Sequence, residues 1–158
     1  MDPLFIFEWL DTSFLATVSK AYGGVFAVVQ MFHLAAMAVM GGMVLLSDLR
    51  LLNVLLTSVP SDVVSENTNR WFDIGIVVMV LSGIFMSSAV AMKLYYNEMF
   101  WAKMAALAIG IVFVYFIRRP LLRHAHDTLD KWTVKMVAVS SLVVWFTVAA
   151  CGRWIGFS

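Results

Sequence analysis

Charge is scarce in this chain. Of its 158 residues, 13% are Asp, Glu, Lys or Arg, while 62% are hydrophobic. A soluble domain carries about 25% charged residues and about half apolar ones. A core of this size has no room for so much apolar side chain, because much of a small domain's surface must face water. The composition therefore argues against a soluble fold and for lipid as the solvent. The net charge is only +1. With no basic tract, zinc spacing or aromatic-interleaved basic patch, no nucleic-acid partner is expected. There is one cysteine, Cys151, which excludes an intrachain disulfide; in an apolar run it reads as a small packing residue. The first residues, MDPLFIFEWLDTS, carry acids and no lysine or arginine, the reverse of a signal peptide's basic start. No lipidation signal is visible at either end.

What is present is apolar sequence in long runs. They cover residues 22–47, 72–92, 100–117 and 133–152. Each approaches the ~20 residues that a helix needs to cross about 30 Å of hydrocarbon. In lipid the backbone must satisfy its own hydrogen bonds, so each run is expected to be α-helical. The sequence thus predicts an all-α fold: one integral membrane domain over 1–158, a transmembrane four-helix up-down bundle. Arg118-Arg119-Pro120 is expected to close the third helix, because proline resists helix continuation. The linker LTSVPSDVVSENTNRW offers caps at Ser61 and at Asn67 or Asn69, and DLRLLNVLL is expected to extend the first helix past the membrane surface. Residues 3–19 predict a short interfacial helix with Trp9 at the membrane boundary, followed by a bend at Gly23-Gly24. Small-residue pairs, Ala38 with Gly42, Gly83 with Ser87 and Ala106 with Gly110, predict close helix contacts.

Basic residues set the orientation. Segments 48–71 and 118–135 hold Arg50, Arg70, Arg118, Arg119, Arg123, Lys131 and Lys135. The opposite side holds Lys20, Lys93, Lys103 and Arg153. The excess puts both termini outside. At the arginine-rich end, Arg70 can pair with Asp73, and Asp48 can reach Arg118 or Arg119 across the bundle.

One histidine lies inside an apolar run. His33 follows Gly23 by ten residues, about 15 Å at 1.5 Å per residue and so near the bilayer middle. There it must face the bundle interior, and a neutral imidazole costs less than a charged one. Three uses compete. The first is a hydrogen bond across helices, to Ser82, Ser87, Ser88 or Ser140. The second is axial ligation of haem b. The third is a Cu(I) site: His33, Met37 and Met40 follow i, i+4, i+7 spacing, and thioether plus imidazole suits that ion. Lys103 and Arg153, with Trp154 beside it, can approach the same outer pocket and hold haem propionates, a quinone head group or an anionic lipid. Snorkelling to the interface is the simpler use of such cations. A second axial ligand would have to be a methionine (Met79, Met86 or Met104), come from another chain, or be absent. His124 and His126 lie in the inner loop and read as solvated members of a basic segment. No nucleophile–base pair, phosphate loop or paired buried carboxylates appear, so no catalytic residue is assigned.

QMFHLAAMAVMGGMVLLSDLRLLN resembles the first helix of a family of small bacterial four-helix membrane proteins of unknown function. NEMFWAKMAALAIGIVF resembles that family's third helix, and WFTVAACGRWIGF its tail. The resemblance picks out His33, Asp48, Arg50, Lys103, Arg153 and Trp154. It implies a multi-pass protein of the bacterial inner membrane with periplasmic termini. A more distant likeness to cytochrome b561-type and CopD-type membrane domains implies haem b or copper. The resemblance implies that relatives often carry a histidine around the position of Ile117; this chain has none there and offers His124 and His126 downstream, a departure that argues against a paired-histidine haem. The resulting expectation is a cytochrome-b-like redox or cofactor-binding membrane protein with a redox partner. The alternatives are an accessory subunit of a homo-oligomeric or larger complex, and a Cu(I) carrier.

Overall fold

The computed structural model describes residues 3–124 and 130–157. Its backbone is helical, with no strand among the described residues. Two short helices, α1 (Leu4–Asp11) and α2 (Phe14–Ala21), precede the long ones. The first span is α3 (Gly23–Leu51) and the second is α4 (Ser61–Ala89). After the short α5 (Ala91–Tyr95), the third span begins with α6 (Glu98–Val112). It continues through a π-helical turn at Phe113–Arg118 into α7 (Arg119–His124). The last span is α8 (Lys131–Trp154). All four spans are long and apolar enough to cross a bilayer, with mean hydropathies between 1.8 and 2.0. This is a membrane protein, built as a four-helix bundle.

The spans outrun the apolar runs that announce them. α4 starts at Ser61, so the polar stretch SENTNRW is its first turns rather than a linker. Pro60 precedes it in an extended conformation, and Asn67 and Asn69 lie inside the helix instead of capping it. α3 ends at Leu51, short of the extension expected through Leu56. Pro120 does not end the third span. Its ring crowds the carbonyl four residues back and it offers no N–H. The π-helical turn just before it changes the local hydrogen-bond register, an adjustment that lets a membrane helix carry a proline. The predicted interfacial helix is two helices: Ser13 breaks the run and caps α2, accepting from the Ala16 N–H at 3.2 Å. In the same way the Asn97 side chain caps α6, accepting from the Phe100 N–H at 3.0 Å.

α3 packs most extensively on α4, α6 on α8, and α3 also on α8. α3 and α4 approach closely at Gly75, where a Cβ would lie 2.9 Å from the Met40 Cβ. Gly110 gives α8 the same access: a Cβ there would meet Val144 at 3.1 Å and the Trp145 ring at 3.3 Å. Gly110 was expected at a contact, but the Ala38–Gly42 pair does not mediate one within the chain. Ala38 is exposed and nothing lies within 4 Å of a Cβ on Gly42. The core comprises Met40, Val44, Phe72, Met79, Val114, Trp145 and Val148, with Phe72 and Trp145 edge to face at 5.2 Å. Beside it are buried polar residues, among them Ser47, Asp48, Ser82, Arg118 and Ser141, while Phe32, Leu81, Ile109, Phe116 and Phe146 point outward. Polar groups inside and apolar groups outside is the distribution that lipid selects, since hydrocarbon gives apolar side chains no reason to hide.

Candidate functional site

Toward the terminal end of the bundle, His33 of α3 faces α4. Its Nδ1 lies 2.8 Å from the Ser82 Oγ. The Ser82 hydroxyl already donates to the Val78 carbonyl one turn back. A hydroxyl has one hydrogen, so Ser82 must accept and the neutral imidazole must donate through Nδ1–H. Nε2 then carries the lone pair, while the Met79 carbonyl also lies beside the ring. Gly83 keeps the ring's flank clear, its Cβ position being 3.6 Å from the His33 Cε1.

Lys103 enters from the second turn of α6, near enough for its charge to act on the imidazole. Its stem runs along Gly152 of α8, with Cε 3.5 Å and Nζ 3.6 Å from the Cβ position there. Among the described residues no carboxylate pairs with it. A half-buried ammonium without a counter-charge, in a membrane segment, calls for an anionic or strongly accepting partner. The structure therefore brings His33 and Lys103 into one region. Arg153 and Trp154 lie at its rim and face outward: both are exposed, and the Arg153 guanidinium covers the Phe157 ring at 4.8 Å. The methionines do not join His33. Met37 is 37% exposed on the outer face, whereas Met40 is 4% exposed and wedged against Gly75. The His–Met–Met set expected to suit Cu(I) does not converge.

A second polar centre occupies the arginine-rich end. Asp48, 0% exposed, receives Arg118 Nη2 at 2.7 Å, and the same nitrogen donates to Ser47 Oγ at 2.7 Å. Ser141 of α8 lies beside the Asp48 carboxylate. A cavity of about 10 Å³, lined by Ser47, Thr68, Arg118 and Ser141 among others, adjoins this cluster. That is space for about one water, and the buried Asp48 Oδ2 and Arg118 Nε have no protein partner.

The next residue, Arg119, binds Asp73 of α4 through Nη2 at 2.6 Å and Nη1 at 3.2 Å. The Tyr115 hydroxyl donates to the same carboxylate at 2.5 Å, and the guanidinium stacks on the Tyr115 ring at 4.4 Å. Asp73 thus takes Arg119, not Arg70, because the bidentate fork from the third span outcompetes an exposed i, i+3 neighbour. Sequence reasoning missed Tyr115; its i, i+4 spacing to Arg119 was the available signal. His124 is the last residue of α7, and His126 lies outside the described residues.

A family model matches residues 6–158. The chain belongs to the DUF6644 family, a family of unknown function. No curated protein and no solved structure matches it. The match to DUF6644 takes in most of α1, all of α2 and the four spans, so both polar centres lie within the matched region.

Proposed function

We propose that this chain is a membrane-embedded, cytochrome-b-like redox or cofactor-binding protein, with His33 as the ligand to haem b. One observation carries the reading. The His33 ring is oriented by a Ser82 hydroxyl that is itself anchored, so the lone pair of the neutral imidazole falls on Nε2. A ligating imidazole is held in this way: its distal nitrogen is hydrogen-bonded so that tautomer and ring plane are fixed. The donor set fits a haem with one protein imidazole. Lys103 supplies a counter-charge for a propionate, with Arg153 and Trp154 at the rim. Bound haem supplies one-electron chemistry; the protein orients the ligand, excludes water and balances the carboxylates. In this reading the basic residues of the loop end face the cytoplasm, with both termini in the periplasm of a bacterial inner membrane, as an excess of Lys and Arg favours. The test is an absorbance spectrum of detergent-purified protein after haem reconstitution. A Soret band that His33→Ala abolishes supports the reading; a colourless wild type, or a band unchanged in His33→Ala, ends it.

A rival reading has its own observation. Ala38 is exposed on α3, and among the described residues nothing lies within 4 Å of a Cβ at Gly41 or Gly42, which leaves a small-residue face there. A subunit of a homo-oligomer or larger complex would use such a face. That reading predicts an assembly lost in Gly42→Leu and kept in His33→Ala.

A further inference from the structure

Two arginines adjacent in sequence bind two aspartates in different ways. Arg119 grips Asp73 with both terminal nitrogens, at 2.6 and 3.2 Å, and the Asp73 side chain is 45% exposed. Arg118 reaches Asp48 with Nη2 alone, at 2.7 Å, and shares that nitrogen with Ser47 Oγ at 2.7 Å. The first is the closed fork that fixes a helix pair. The second leaves Asp48 Oδ2 and Arg118 Nε buried with no partner among the described residues, in side chains 0% and 6% exposed. A buried pair adds little stability over apolar packing, and a free carboxylate oxygen adds none. An ionisable group kept inside a membrane bundle marks instead a path for ions or protons.

The surroundings favour the proton. The charges of Asp48 and Arg118 cancel, so the pair does not call for a further ion. What it leaves over is one acceptor, Oδ2, and one donor, Nε–H. A neutral molecule that both accepts and donates answers them, and the adjoining cavity of about 10 Å³ has room for about one water. Ser47, Thr68, Asn69, Arg118 and Ser141 give that cavity polar walls. Its lining residues are buried except Met43 and Asn69, which makes Asn69 the polar way out. The Asn69 carbonyl accepts from Arg119 Nη2 at 3.3 Å, and Arg119 leads to Asp73, where the apolar run of α4 begins. Polar groups therefore connect the buried Asp48 to the membrane boundary in the order Arg118, cavity, Asn69, Arg119, Asp73.

Arg118 is the charge that faces Asp48. α4 brings Thr68 and Asn69 to the cavity and α8 brings Ser141, all neutral. Arg50, on the same helix as Asp48, spends its guanidinium on the Val59 carbonyl and Asn53 Oδ1.

We infer that Asp48 is a proton-binding site, loaded from the arginine-rich end through a single water held in this cavity. An O–H bond of hydronium breaks at the cavity and the Oδ2–H bond forms. The carboxylate becomes a neutral acid, and the positive charge gained stays on Arg118. Arg118 is not released, because Nη2 keeps its bond to Ser47 Oγ. The π-helical turn that ends at Arg118 helps to send consecutive arginines to different helices, and such turns recur at functional sites. The inference does not depend on what His33 binds.

The test is infrared difference spectroscopy of the full chain in lipid vesicles, taken between alkaline and acidic pH. The site predicts the carbonyl-stretch band of a protonated acid at the high frequency of a buried group, apart from the bands of exposed acids. Labelling the aspartate carboxyls with heavy carbon should shift that band in the unaltered chain. Asp48→Asn should remove it, and Asp62→Asn, an exposed acid at the start of α4, should leave it unchanged. Heavy water should lower its frequency, and Asn69→Leu, which closes the half-buried mouth with an apolar side chain, should slow that exchange. The absence of such a band in the labelled chain would overturn the inference and leave Asp48 a structural ion-pair partner. So would a band that heavy water does not move, or one that exchanges as fast in Asn69→Leu as in the wild type.

Discussion

At the residue scale, the two polar centres differ in kind. His33 is a neutral ring held by a serine, whereas Asp48 and Arg118 are buried opposite charges that pair beside space for about one water. Ser82→Ala should cost about 1 kcal/mol of stability, the scale of an interhelical hydrogen bond in a membrane. It should also weaken haem retention, since the ring would no longer be held. Denaturant titration in mixed micelles reads the first effect and absorbance the second. For the buried pair the cost lies in separation. Arg118→Met alone should destabilise by about 3–5 kcal/mol, because it strands a fully buried carboxylate, and Asp48→Leu with Arg118→Met should recover most of that loss. A double variant no more stable than the single one would contradict this account.

At the scale of elements, hydropathy located the spans but not their ends. The run beginning at Phe72 was legible, while the helical turns from Ser61 were not, because polar residues beyond the membrane carry no hydropathy signal. Pro120 was read as a stop; the π-helical turn before it keeps the third span going and places Arg118 and Arg119 against different helices. The methionine stripe failed for a geometric reason. At about 100° per residue, Met37 and Met40 stand on opposite sides of His33, roughly 60° apart, and that spread sends one outward and the other toward Gly75. Gly75 itself was not singled out, since a glycine's partner is invisible without the opposing helix. Gly75→Val should cost about 1–3 kcal/mol through overpacking, and Met40→Ala in the same chain should relieve part of it. A thermal midpoint unchanged in Gly75→Val would show that the two helices are not in close contact there.

At the scale of the molecule, the chain turns polar groups inward and leaves large apolar ones outside, and composition alone anticipated that inversion. The candidate site was legible in part. His33 and a serine partner followed from mid-membrane depth, and the choice of Ser82 among several serines required the helix register. Lys103 was anticipated as a companion. Arg153 reaches the same end but spends its guanidinium on Phe157, a contact that depends on how the chain turns after α8.

The central claim is that the Nε2 of His33 binds a cofactor inside the bundle. Its most direct measurement is the absorbance spectrum of the haem-reconstituted, detergent-purified chain beside that of His33→Ala. The account predicts a Soret band in the first and none in the second. A spectrum without haem in both, or with the same haem in both, would contradict it.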